Sequence, residues 1–151
     1  MKKIEITLIS GRTTQQGVGL EEGKTSEAYA KSVGYIEINP SDAEKIGLRE
    51  EDLVKVSNEN GSVVLEWKGA EGLDRGIAFV PYGPWSNQLF GHYTEGTGMP
   101  WFKGIPAMIE ETSEKKLTLK EIVEDLRSVN QWKSLAMLCV LSVGAYAMIL
   151  R

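Results

Sequence analysis

The sequence predicts a small, mainly β domain: a barrel of short strands decorated with short helices and followed by a helical extension. Two observations carry this expectation. Apolar and polar residues alternate in five or six short runs, each closed by Gly, Pro or Asn-Gly, as in half-buried strands joined by tight turns. The chain also holds 16 glycines, most of them between Gly11 and Gly104, where turns and close backbone approach call for them. With 151 residues, 42% hydrophobic and 25% charged, there is enough chain for one domain with a real core plus an extension. Disorder and coiled-coil classes are disfavoured.

The elements follow in order. Ile4, Ile6 and Leu8 alternate with Glu5 and Thr7 in a strand ending at Gly11. Residues 11–23 are polar and glycine-punctuated, a long loop of the kind that usually carries function. A short helix is expected within Thr25 to Val33, and Tyr35 to Ile38 is a second strand ended by Asn39-Pro40. Ser41-Asp42-Ala43-Glu44 has the pattern of a capping box opening a short helix, with Gly47 as its natural stop. Leu53, Val54 and Val56 begin a strand, Asn60-Gly61 marks a hairpin turn, and Val63 to Trp67 returns. Ile77 to Val80 and Ile105 to Ile109 complete the set.

Composition shifts after Thr112-Ser113, so residues 1–113 are expected to form the barrel and 114–151 a helical tail. The first part carries 11 Lys and Arg against 17 Asp and Glu, a net of −6, and the second 6 against 4, a net of +2. Thr118 with Glu121 suits a helix start, and Leu119, Ile122, Val123 and Leu126 follow near helical spacing. From Ser134 to Leu150 the chain is uncharged. That stretch would rise about 26 Å as a helix, short of the roughly 30 Å hydrocarbon core. Burial against partner subunits is therefore favoured over membrane contact for 134–150, with Cys139 as a small buried hydrophobe.

The overall charge of −4 shows no basic face for a nucleic acid. One cysteine provides no internal disulfide, CxxC pair or iron–sulfur cluster from this chain alone, and one histidine provides no His-rich metal constellation. No apolar signal core follows Met1-Lys2-Lys3, so a cytoplasmic location is expected.

Three loops concentrate the unusual residues. They are Gly11, Arg12, Thr13, Gln15, Gln16 and Gly17; then Pro81, Tyr82, Gly83, Pro84 and Asn87; then Gly96, Thr97, Gly98, Met99 and Lys103. Bare glycine backbone can approach a ligand, the Arg12 fork suits phosphate, and Asn and Gln amides suit the edges of a pterin or purine. Trp85 and Trp101 lie in the same loops, where an aromatic can pack on a planar ligand or a partner; the other tryptophans default to the core.

Asn39-Pro40-Ser41-Asp42-Ala43, Gly47-Leu48, Asp52-Leu53-Val54-Lys55-Val56 and Asn60-Gly61 resemble the molybdopterin-dinucleotide-binding domain, a double-psi β-barrel. Gly11-Arg12-Thr13, Gly83-Pro84-Trp85-Ser86-Asn87 and Gly96-Thr97-Gly98-Met99-Pro100 leading into Phe102-Lys103-Gly104 are similar to the family of D-type subunits of formylmethanofuran dehydrogenases. The resemblance runs from about Ile4 to Glu111. It departs at Glu51-Asp52, where the barrel family usually has Gly-Asp, and it says nothing of the chain after Ser113.

This resemblance implies a non-catalytic subunit of an archaeal methanogenesis oxidoreductase that reduces carbon dioxide, through formate, to formyl-methanofuran, or runs the reverse. The molybdenum or tungsten there is held by pterin guanine dinucleotides and by a larger catalytic subunit. The present chain would help hold one dinucleotide through the loop residues named above, and would provide no metal ligand. Two other readings stand beside it: an adaptor barrel that binds only protein, and a pyruvoyl decarboxylase self-cleaved at Gly61-Ser62.

Overall fold

The computed structural model describes residues 2–128. Among them six strands close into a barrel in the order β1-β5-β2-β4-β3-β6. They are β1 (Lys3–Gly11), β2 (Tyr35–Ile38), β3 (Leu53–Ser57), β4 (Ser62–Gly69), β5 (Ile77–Pro81) and β6 (Lys103–Thr112). Two parallel pairs, β1 with β5 and β2 with β4, join strands far apart in sequence, and the remaining pairs are antiparallel. This is the double-psi β-barrel. Closure leaves no long open edge around most of the sheet.

Alternation decides which residues fill the barrel. Ile6, Leu8, Val54, Val56, Leu65, Ala78, Val80 and Ile109 turn inward and are buried, while most of their strand neighbours are exposed or half-buried; Val64 and Pro81 are buried as well. Burying each large aliphatic side chain contributes about 1.5–3 kcal/mol. The helices pack outside: α1 (Thr14–Glu21), α2 (Glu27–Val33) and α3 (Pro40–Ile46), with a 3-10 helix at Ser86–Leu89.

Several elements differ from expectation. The glycine-punctuated 11–23 stretch is not an extended loop, because Thr13 accepts from Gln16 N at 3.1 Å and starts α1. The cap of α3 is Asn39, not Ser41. Its side chain accepts from Ser41 N at 2.9 Å with Pro40 in the first turn, a position where the missing proline N–H costs nothing. Gly47 ends α3 at φ 80°, as its place in the sequence predicts. β6 begins two residues early and takes Lys103 out of the loop into the sheet.

Trp85 is 1% exposed, with its indole Nε1 donating to Leu117 O at 2.9 Å. It is a core residue, and nothing planar can reach it. Lys116 pairs with Glu66 at 2.8 Å and Lys55 with Glu114 at 2.6 Å, so the polar run after Ser113 is fastened to the strands. The chain divides into two compact units, Met1–Leu119 and Lys120–Arg151. In the second, residues up to 128 are helical. Among the described residues no helix is long and apolar enough to cross a membrane. The apolar stretch 134–150, Trp132 and Cys139 lie outside the described residues.

The Glu51 departure has a backbone cost. Glu51 sits at φ 76°, where a side chain loses about 1–2 kcal/mol. Asp52 Oδ2 meanwhile accepts from Arg49 N at 2.7 Å and keeps the turn in shape. Glu51→Gly relieves the strain but returns some unfolded-state entropy, so a net gain of about 0.5–1 kcal/mol is expected in urea melts. A loss of stability would show that the turn has another basis.

Candidate functional site

The sheet brings the three loops to one rim. Parallel pairing sets Gly11 beside Pro81, so β1 and β5 release the chain at the same end of the barrel. β6 runs antiparallel to β1 with Lys103 opposite Ile9, and therefore enters from that end. Tyr82 N donates to Gly11 O at 2.8 Å, and Gln16 Nε2 donates to Tyr82 O at 2.5 Å. The Tyr82 ring stacks on Phe90 at 5.8 Å between centroids and meets Phe102 edge-on at 5.7 Å. A cleft of about 120 Å³ opens where they meet, lined by Gly11, Arg12, Tyr82, Met99 and Phe102. All three loops contribute to it.

The third loop takes its shape from its glycines. Gly96 and Gly98 lie at φ 78° and 75°, angles that residues with a Cβ rarely adopt. Thr97 locks the turn between them: its hydroxyl donates to Thr94 O at 2.7 Å and accepts from Met99 N at 3.2 Å. Met99, half exposed, then overhangs the cleft. The first loop offers Arg12, exposed, directly before a helix whose first turn holds no acidic residue. That helix start favours a nearby anion.

The other expected residues fall into different places. Gln16 is buried and ties α1 to the second loop, leaving its Oε1 without a hydrogen-bond partner; Ser10 Oγ, one residue before the rim, is also buried and unpartnered. Thr13 and Gln15 line a separate groove of about 540 Å³ with Lys31, Tyr35, Glu37 and Lys68. In it the Lys68 ammonium sits 3.6 Å over the Tyr35 ring, and burial, assisted by the Glu37 charge, pushes the Tyr35 phenol up. Pro81 and Gly83 are buried, and a Cβ on Gly83 would lie 3.1 Å from Val33, so Gly83 is a packing position.

Asn87 is exposed on the 3-10 helix and does not line the cleft; its N–H donates to Gly83 O at 3.0 Å. Gly17 is exposed and Pro84 half-buried. Lys103 is exposed on β6 with its ammonium 6.0 Å from the Phe102 ring centroid. Phe102 itself belongs to the cleft although the loop pattern did not single it out. Its signal was an aromatic immediately before the strand that completes the rim. Among the described residues no three His, Cys, Asp or Glu side chains converge on a point that can hold a metal ion.

Known proteins share both the sequence and the fold. The family model described as the molydopterin dinucleotide binding domain matches residues 6–106. The protein named FwdD of Methanocaldococcus jannaschii is 41% identical over 120 residues, covering 77% of this chain and 90% of its own. The C-type subunit of the molybdenum-containing formylmethanofuran dehydrogenase 1 of Methanothermobacter thermautotrophicus is 34% identical over 127 residues. The match covers 82% of this chain but only 31% of that longer polypeptide. Among solved structures, acetylene hydratase from Pelobacter acetylenicus aligns over 71% of this chain and 18% of its own, with a TM-score of 0.51 and 14% identity, a likeness of fold alone. From the strand order to the residues matched, the chain belongs to the molydopterin dinucleotide binding domain family.

Proposed function

We propose that the chain is a non-catalytic subunit of a formylmethanofuran dehydrogenase-type oxidoreductase, working in the cytoplasm, that helps hold a pterin guanine dinucleotide shared with a catalytic subunit. The observation that carries this is the convergence of three sequence-distant loops on one cleft, each with a residue suited to such a ligand. Tyr82, Phe102 and Met99 present apolar and aromatic surface to a planar ring, and Arg12 presents its fork to a phosphate.

The size of the cleft supports a shared arrangement. A cleft of about 120 Å³ holds only the edge of a ligand whose enclosing pocket normally exceeds roughly 300 Å³. On this reading the rest of the dinucleotide is covered by the catalytic subunit, as in a shared cofactor. When bound, the dinucleotide carries the molybdenum or tungsten at which carbon dioxide and formate interconvert. This chain's residues orient it and exclude water from one side, with Asn87 and Lys103 as exposed donors facing outward for the catalytic subunit. On this reading residues 1–113 are the dinucleotide-binding barrel, and 114–151 a helical tail that packs on other subunits.

Native purification of the tagged full-length chain tests the proposal. The expected result is co-purification of a larger pterin-dependent catalytic subunit, with guanine nucleotide and molybdenum or tungsten in the same fraction. Recovery of the chain alone, or with partners that contain neither, would favour the protein-only adaptor reading. Two fragments split at Gly61-Ser62 by intact mass would favour the pyruvoyl enzyme.

A further inference from the structure

A second feature lies outside the cofactor cleft. β3 ends at Ser57 opposite Met108, whereas β6 begins at Lys103 and pairs with β1 along its first half, apart from a bulge at Gly104. Residues 103–107 of β6 therefore have no strand on their β3 side. Every second residue there turns its N–H and C=O toward that open side. Two adjoining grooves, of about 250 and 380 Å³, run along this edge and share Glu59, Asn60, Ile105 and Pro106.

The groove is apolar along its floor and acidic at its wall. Tyr93 and Trp101 stand over it 69% and 64% exposed, large aromatic surfaces that isolated domains rarely leave in water without use. Glu5 and Glu59 line it, neither is ion-paired among the described residues, and no Lys or Arg lines it; the remaining titratable groups there are His92 and Tyr93. Its wall is held in place beforehand. Asn58 Nδ2 donates to Leu89 O at 2.7 Å, and Asn58 Oδ1 accepts from Asn60 N and Gly61 N at 2.9 and 3.1 Å. A rigid wall lowers the ordering cost of binding.

We infer that this edge receives an extended, cationic segment of the catalytic subunit, which adds to β6 as a strand and places a Lys or Arg against Glu59 and Glu5. The occupant follows from the chemistry of the groove. An open strand edge takes extended backbone, the aromatics take apolar side chains, and two unpaired carboxylates take positive charge. Trp101 lies one residue before Phe102 of the cofactor cleft, so a chain covering the cofactor continues directly into the groove. The inference rests on the reading of the protein as a subunit that shares its dinucleotide.

Hydrogen exchange on the full-length chain, free and in the purified complex, tests it. Of the Gly104, Ile105 and Ala107 amides, those that turn to the open side are expected to exchange about ten-fold more slowly in the complex, while those bonded to β1 stay unchanged. The double variant Glu59→Lys with Trp101→Ala is expected to enter the complex about ten-fold less well while melting like the unaltered chain. Equal exchange in both states, or normal entry of the double variant, overturns the inference. So does protection that appears in the free chain with rising concentration, which would make the occupant a second copy. A complex that holds its dinucleotide but leaves these amides unprotected refutes the groove alone. Protected amides in a complex without dinucleotide refute the cofactor reading alone.

Discussion

Arg12→Ala is expected to strip the assembled complex of most of its guanine nucleotide and metal, by about ten-fold or more at limiting cofactor. A charge-assisted, two-pronged contact to phosphate contributes about 1.5–3 kcal/mol, or roughly 10- to 100-fold in retention. Arg12 is exposed, follows the end of β1 and lines the cleft, so its removal leaves the barrel core untouched. The melting temperature of the isolated chain should stay within a degree or two, because surface changes away from packing shift stability little. Arg12→Lys should recover part of the loss, since an ammonium keeps the charge without the fork. The readout is guanine nucleotide and metal per complex, measured after gel filtration. Unchanged content in the alanine variant would remove Arg12 from the site.

Asp42→Ala is expected to destabilise the barrel by about 2–4 kcal/mol. Asp42 is 2% exposed, and its carboxylate accepts from Gly76 N at 2.6 Å and from Lys45 Nζ at 2.6 Å. It joins α3 to the turn that leads into β5. Asn39 supports the same join by donating from Nδ2 to Leu73 O at 2.7 Å. Truncation leaves the half-buried Gly76 N–H without its acceptor and removes the charged contact to Lys45.

The effect depends on pH. Burial alone would push the Asp42 carboxyl up, but Lys45, the Gly76 N–H and the Arg75 charge together outweigh it and hold it below its ordinary value of 3.8. The charged form is therefore favoured by folding. Its contribution is complete above the unfolded value and fades as the pH falls through the lower, folded one. In thermal melts, wild type and Asp42→Ala should differ most near neutral pH and converge in strong acid. An equal gap at both pH values would show that Asp42 acts by packing, not by charge.

The same residues show how far the sequence could be read. Asn39-Pro40-Ser41-Asp42-Ala43 announces the barrel family, yet its local pattern suggested Ser41 as the cap. A four-residue spacing does not reveal that Asn39, preceding Pro40, reaches the amide first, nor that Asp42 points inward to the distant turn at Gly76. Trp85 stands in a loop rich in candidate binding residues, but its partner is the carbonyl of Leu117, a contact invisible to any local window. Gln16 looks like a ligand amide and is a buried strut between α1 and Tyr82.

By itself the sequence determined the strands, through alternation of residues such as Ile6, Leu8, Val54 and Val56, because side-chain direction in a strand has a strict period of two. It also determined the turns at Gly47 and Asn60-Gly61, because backbone conformation there depends on the residue itself. The glycine spacing of the third loop was legible for the same reason. Tertiary structure alone decided which loops meet. Parallel pairing of β1 with β5, across about seventy residues, sets Gly11 beside Pro81, and the short reach of β3 leaves the first half of β6 uncovered. Both depend on pairing between distant segments, whose register is set by the barrel's closure and has no counterpart in local pattern.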